Sequence, residues 1–224
     1  MNAKQTETMI FNQQHENIMR EYPTTIASIN GNKLENVLGY RYLGSEIDAN
    51  ESNTGENELD LRIDAGEIKF HSLTHQFLNQ KINLKTRVNM LNSLVRSRIV
   101  HACPTWILSQ VQMGKINAVY NRMLQKMIKG GFRRRENSWS YVLKNEDIIQ
   151  MVKTITLESF SNIQQRNYTA HIVRKENKSI VKKLLFESNQ SRKQGPQQTI
   201  LNRVLKSENC TAEIFFKNAT ERKF

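Results

Sequence analysis

Two pairs of side chains on one predicted helix have the spacing of metal ligands. His71 and His75 are four residues apart, and Asp60 and Asp64 show the same spacing earlier in that helix. Residues four apart lie on one side of a helix, so either pair could present two ligands to Zn²⁺ or Mg²⁺. The glutamate of a HExxH motif and a clear third ligand are missing. We therefore expect solvated polar side chains and no metal site in this chain.

A second candidate chemistry is nucleophilic. Cys103 follows His101 by two residues, and a thiol beside an imidazole is a possible nucleophile and base. The sequence supplies no third member, and the apolar neighbours Trp106–Leu108 indicate packing. We therefore predict no catalytic residue.

The strongest indication of a binding function comes from the cationic side chains. Arg133, Arg134 and Arg135 follow a Gly-Gly pair at a predicted helix end, where they could grip phosphates or cap the helix. Five more cations surround the helix predicted over 85–101, where acidic partners are scarce. They are Lys81, Lys85, Arg87, Arg96 and Arg98. They form either a phosphate-contacting face or a solvated one, and we favour the former.

The charge of the chain supports an anionic partner. The 224 residues carry a net charge of +12, but residues 1–80 hold 6 Lys+Arg against 12 Asp+Glu, and the rest hold 27 against 9. A basic half of this kind favours nucleic acid, ahead of an anionic membrane surface or a solvated surface without a partner. Two distant cysteines and the lack of a long apolar run predict an intracellular protein, nuclear or cytoplasmic, with no membrane partner.

Periodicity predicts a mainly α protein, a helical bundle with a small N-terminal antiparallel β-sheet. Asn30-Gly31 is typical of a hairpin turn, and a further strand follows at 40–47. One apolar stripe predicts a long helix from residue 56, on which Gly66 suggests close approach of another backbone. Its members are Leu59, Ile63, Gly66, Phe70, Leu73 and Phe77. Further helices are predicted over 85–101, 115–129, 178–186 and 198–206. Another is predicted over 145–174, with Asn145 as N-cap and a break allowed within it.

Several segments, in this order, resemble the reverse transcriptases of LINE-type (non-LTR) retrotransposons. "NAKQTETMIFN" at 2–12 is similar to the end of their palm, and "YRYLGSEI" at 40–47 to their Tyr-Leu-Gly primer-grip hairpin. "ELDLRIDAGEIKFHSL" at 58–73 resembles their first thumb helix, and "INLKTRVNMLNSLVRSRIVHACPTWIL" at 82–108 the next. "INAVYNRMLQKMIKG" and "RNYTAHIVRK" resemble later elements. The resemblance covers about 2–175.

The resemblance implies a division of the chain. Residues 1–48 would hold palm-end strands and the primer-grip hairpin, and 49–135 a thumb-like helical bundle. Residues 136–187 would form a helical extension, and 188–224 a linker and C-terminal helix or tail.

It also implies the site residues. Tyr42, Leu43 and Gly44 would form the grip, and Lys4 would lie near the incoming triphosphate. Lys85, Arg87 and Arg133–Arg135 would hold an RNA–DNA or other nucleic-acid duplex by its phosphates, without reading sequence. The missing palm and fingers would be a further partner.

The departures from the family pattern matter equally. The intact polymerases use an Asp-Asp pair to hold Mg²⁺, and no Asp-Asp occurs in this chain. Pro104 and Thr105 replace the family's Gly and Glu near Trp106. The resemblance thus implies a fragment that keeps grip and thumb but lacks the catalytic aspartates, so we expect neither a cofactor nor catalysis by this chain alone.

Two other functions stay open. One is a stand-alone, non-enzymatic basic helical module that binds nucleic acid. The other is a helical protein-interaction scaffold that uses apolar stripes such as Met123/Met127.

Overall fold

A computed structural model describes most of the chain in two compact units, residues 1–59 and 60–224. The described residues are 6–9, 28–29, 31–37, 39–42, 44–48, 56–128, 132–135, 138–141, 143–187 and 199–222. The predicted division at 48, 135 and 187 rests on the family resemblance and stays a prediction. The compact unit 60–224, hereafter unit 2, contains the predicted boundaries at 135 and 187.

Unit 1, residues 1–59, contains short strand pairs. Its strands are β1 (Glu7–Thr8), β2 (Ser28–Ile29), β3 (Asn32–Lys33), β4 (Glu35–Asn36), β5 (Gly39–Tyr42) and β6 (Ser45–Asp48). β2 with β3 and β5 with β6 are antiparallel hairpins, but β1 pairs with β4 in parallel. The prediction of one antiparallel sheet is therefore wrong. The described strands form separate pairs because two- to four-residue strands offer few backbone groups to join them.

Helices dominate the rest of the described chain, which confirms the mainly α prediction. They are α1 (Glu56–Ser72), α2 (Thr74–Leu78), α3 (Leu84–Leu91), α4 (Ser97–Ile99), α5 (Gln110–Ile128), α6 (Asn145–Val152), α7 (Leu157–Val173), α8 (Ile180–Glu187), α9 (Ile200–Ser207) and α10 (Ala212–Thr220). A π-helical segment, Asn92–Arg96, joins α3 to α4, and a 3₁₀ turn spans Cys103–Thr105. An antiparallel hairpin, β7 (Phe132–Arg135) and β8 (Ser138–Tyr141), follows α5. No helix in the described ranges is long and apolar enough to cross a membrane.

The predicted long helix is broken between α1 and α2. Phe70 and Phe77 of its apolar stripe are fully buried and stack with ring centroids 5.1 Å apart. The Thr74 hydroxyl donates to the Phe70 carbonyl at 3.1 Å, and the Leu73 N–H bonds the same carbonyl. Side-chain bonds of this kind compete with the helical ladder, which accounts for the break.

Gly66 is a position of close approach, although its neighbour is a side chain. A Cβ placed on Gly66 would meet Ile99 Cγ1, and would lie 2.9 Å from Ile99 Cδ1. Ile99 is fully buried, and the absence of a Cβ on Gly66 leaves the space that its side chain occupies. A glycine at this position therefore allows α1 and α4 to pack closely.

The break allowed for in the helix predicted over 145–174 is present, so this segment forms two helices. Lys153 adopts left-handed backbone geometry (φ 51°) and ends α6, and Thr156 caps α7 by accepting the Ser159 N–H. Lys144, not Asn145, is the N-cap of α6, and its N–H donates to the Asp147 carboxylate at 3.3 Å. Asn145 is therefore the first helical residue.

The C-terminal helices pack on α7. Val204 of α9 and Phe215 and Ala219 of α10 form an apolar cluster with Ala170 and Val173 of α7. Two guanidinium groups bind main-chain carbonyls here. Arg174 donates to the Ala219 carbonyl of α10 at 3.0 Å, and Arg203 of α9 donates to the Leu108 carbonyl, just before α5, at 2.8 Å. The C-terminal helices α9 and α10 thus belong to unit 2.

Candidate nucleic-acid interface

Arg87, near the start of α3, joins the ends of α2 and α5 at a junction hereafter called the Arg87 end. Its Nη1 donates to the Phe77 carbonyl at 2.9 Å and to the Met127 carbonyl at 2.8 Å, and its Nε donates to the Ile82 carbonyl at 3.1 Å. Phe77 is in the last turn of α2 and Met127 in the last turn of α5, where carbonyls lack helical partners. One cation therefore caps two helix ends.

This position removes Arg87 from the predicted interface. Its side chain is only 5% exposed, and its Nε and Nη1 donors are engaged by main-chain carbonyls. We assign Arg87 to the fold, where it holds the ends of α2 and α5 beside the start of α3.

Lys81 and Lys85 stand exposed at this same end. Asn79 Oδ1 accepts the Lys81 N–H at 2.9 Å, and Asn83 Oδ1 accepts the Lys85 N–H at 2.8 Å. Each asparagine thus fixes the backbone two residues later, which positions the lysine that follows it. The repeated Asn-x-Lys in "NQKINLK" is a sequence signal for this arrangement that the motif analysis missed.

The stretch of sequence that contains these lysines lacks acidic residues. Residues 68–135 contain 13 Lys and Arg and no Asp or Glu. Within the described part of the chain, Lys81, Lys85 and Arg98 are exposed and have no ion pair. Arg122 differs, because its Nη2 lies 3.2 Å from Glu67 Oε1. Long-range attraction of a polyanion is favoured where cations stand unopposed in this way.

Two further cations of the region pack against aromatic rings. Arg96 Cζ lies 4.3 Å from the centroid of the Phe160 ring, and Lys126 Nζ lies 5.9 Å from that of Phe70. Arg96 is half-buried and contributes to packing. Lys126 is exposed on α5, one residue before Met127, so its ammonium adds to the charge at the Arg87 end.

Arg133, Arg134 and Arg135 lie on β7. Their backbones pair with Ser140, Trp139 and Ser138 of β8, so this segment is a hairpin. Their side chains lie outside the described part, and their role as phosphate contacts stays a prediction.

In unit 1 the hairpin predicted as a grip is present as β5 and β6. Gly44 turns it with a φ of 88°, which favours glycine, and Tyr42 is 57% exposed. Beside it lies an apolar groove of about 200 Å³ whose lining includes Thr8, Val37 and Tyr40. Lys4 and Leu43 lie outside the described residues. The exposed tyrosine is available to contact a ligand.

The catalytic and metal candidates do not come together. Cys103 is buried, and burial raises the pKa of its thiol more than the neighbouring Ser161 hydroxyl lowers it, while His101 is exposed. Asp60, Asp64, His71 and His75 are exposed on α1 and α2. Among the described residues no group of three or more His, Cys, Asp or Glu side chains could hold a metal ion.

The stripe suggested for a protein-interaction scaffold is part of the core. Met123 and Met127 are both buried, since their face of α5 packs inside the bundle. A scaffold would need another surface.

Comparison with known proteins adds no relative. No protein-family model matches the sequence, and no significant match was found among curated proteins or solved structures.

Proposed function

We propose that this chain binds a nucleic-acid duplex by its phosphates, as a non-catalytic grip-and-thumb fragment similar to part of a LINE-type reverse transcriptase. The observation that carries the proposal is the absence of acidic residues from 68–135, combined with the exposed, unpaired cations Lys81, Lys85 and Arg98. Phosphate contacts by such cations supply affinity without sequence specificity. An RNA–DNA duplex is the partner that the sequence resemblance favours.

The arrangement at the Arg87 end supports this proposal physically. Asn79 and Asn83 hold the backbones of Lys81 and Lys85, while Arg87 holds the neighbouring helix ends. Rigid backbone beneath a flexible ammonium lowers the conformational entropy lost on binding. The β7–β8 hairpin would add the guanidinium groups of Arg133–Arg135. In unit 1, Tyr42 of the β5–β6 hairpin would itself contact a primer end.

A second candidate is a stand-alone basic module in unit 2, in the nucleus or the cytoplasm. Unit 2 favours it because that unit is compact and has its own apolar core. The two functions differ in their ligands. A grip-and-thumb fragment prefers a duplex with a recessed 3′ end, whereas a basic module binds blunt and recessed duplexes equally. In the fragment, Tyr42→Ala abolishes the preference for the recessed end.

The deciding experiment is fluorescence anisotropy of a labelled RNA–DNA primer–template across a salt series. We expect Lys81→Ala/Lys85→Ala to weaken binding and to reduce the slope of log Kd against log salt by about 2, or about 1 for each lost phosphate contact. The matched control is Lys206→Ala/Lys217→Ala, which removes two exposed cations from α9 and α10.

Arg133→Ala/Arg134→Ala/Arg135→Ala tests the hairpin in the same assay. A folded sample that does not bind at low salt would refute the nucleic-acid proposal. Equal losses in Lys81→Ala/Lys85→Ala and in the control Lys206→Ala/Lys217→Ala would show that net charge alone, and no particular surface, attracts the ligand.

A further inference from the structure

Two helices of unit 2 carry large apolar side chains that remain exposed. On α1, Leu61 and Ile68 are 49% and 71% exposed, and on α8, Ile180 and Leu184 are 74% and 62% exposed. Leu and Ile at such exposure lose the free energy that burial would supply. Each pair therefore marks a face suited to a contact with another molecule.

The face on α1 combines apolar and acidic groups. Leu61, Asp64 and Ile68 have the i, i+3, i+7 spacing that places them along one line of a helix. Asp60 and Asp64 are exposed, and neither has an ion pair within the described residues. A partner for this face would have to offer apolar side chains beside positive charge.

The face on α8 has that composition. Ile180 and Leu184 are one turn apart, and Lys183 is exposed next to Leu184. Lys182 is engaged elsewhere, because its Nζ donates to the Lys175 carbonyl at 2.9 Å and to Asn177 Oδ1 at 2.8 Å. Lys183 has no ion pair in the described chain and keeps its charge available beside the apolar pair.

We propose that α8 of one copy of this chain docks on α1 of a second copy. Ile180 and Leu184 would pack against Leu61 and Ile68, and Lys183 would face Asp64. Pairing of like faces is disfavoured, since two α1 faces would bring aspartates together and two α8 faces would bring lysines together.

This contact has a defined symmetry. It joins two different faces, so in a pair one copy keeps an unused α1 face and the other keeps an unused α8 face, and further copies add head to tail. The α8 helix is only 8 residues long, so the contact is small. A small contact gives weak association that grows with protein concentration.

Sedimentation velocity of the full chain over a concentration series tests the proposal, after nuclease treatment to remove bridging nucleic acid. We expect the average sedimentation coefficient to rise with concentration. Ile68→Lys removes the α1 face, and Leu184→Asp removes the α8 face. Each variant alone should stay monomeric, while an equimolar mixture should form a dimer and nothing larger, since each variant retains one complementary face.

Two further variants sharpen the result. Asp64→Lys or Lys183→Glu alone should weaken association by about tenfold or more, and the two together should restore it. Val111→Asp on α5 is the control, because Val111 is 74% exposed but lies on neither face. Helical circular dichroism confirms that each variant is folded.

Three outcomes would overturn the proposal. They are a monomer at every concentration, association that survives both face variants, and loss of association in only one of them. The last result would indicate a contact between like faces. None of the three bears on duplex binding, which depends on Lys81 and Lys85.

Discussion

Replacing Arg87 by methionine should destabilise unit 2 without removing a phosphate contact. Methionine keeps much of the apolar stem of the side chain and deletes the guanidinium. The carbonyls of Phe77 and Met127 would lose a charged donor in a buried setting, and that of Ile82 would lose one in a partly buried setting.

The size of the loss follows from these contacts. A hydrogen bond to a charged group contributes about 1.5–3 kcal/mol, and two such bonds of Arg87 are buried. The remaining structure would also leave two helix-end carbonyls without a donor. We therefore expect Arg87→Met to lower the free energy of unfolding by about 3–5 kcal/mol. Arg87→Lys should cost about half as much, because an ammonium can replace Nη1 but lacks the Nε donor.

Urea denaturation followed by helical circular dichroism measures this change. Lys85→Met is the matched control on the same helix, and its exposed side chain predicts a change within about 0.5 kcal/mol. A loss below about 1 kcal/mol for Arg87→Met would refute the assignment of Arg87 to the fold. Weakened duplex binding by a folded Arg87→Lys at unchanged stability would return this residue to the interface.

Two other predictions test the packing and the cysteines. Gly66→Ala should destabilise the fold by about 1–2 kcal/mol, because crowding against Ile99 exceeds the gain in helix propensity. The double variant Gly66→Ala/Ile99→Ala should cost less in urea denaturation than the sum of the single variants, and additive costs would contradict the contact. A maleimide should label the native chain at the half-buried Cys210 and reach buried Cys103 only after unfolding, because the fold shields the Cys103 thiol from the reagent. The pKa of both thiols is raised, so access to the sulfur sets the difference in rate. Equal labelling rates by mass spectrometry would exclude this packing of Cys103.

Local pattern was sufficient for the helical class and for much of the core. The spacing of Phe70 and Phe77 identified a buried stripe, and both rings are buried because an amphipathic helix has one face to bury. Asn30-Gly31 correctly predicted the β2–β3 hairpin, since its geometry is set within four residues. The position of the break after α1 was missed, because the hydroxyl of Thr74 competes with a helix that the apolar spacing alone would continue.

The role of each cation was decided by tertiary structure. Lys85 and Arg87 are two residues apart in an acid-free stretch, and the sequence gives both the same charge and a similar reach. Only the fold brings the carbonyls of Phe77 and Met127, which are 10 and 40 residues from Arg87, to one guanidinium. A sequence determines how much charge a segment carries. Which cations stay in water depends on whether packing leaves helix-end carbonyls without donors nearby. A buried carbonyl without a donor destabilises the fold by more free energy than an exposed cation contributes through surface contacts.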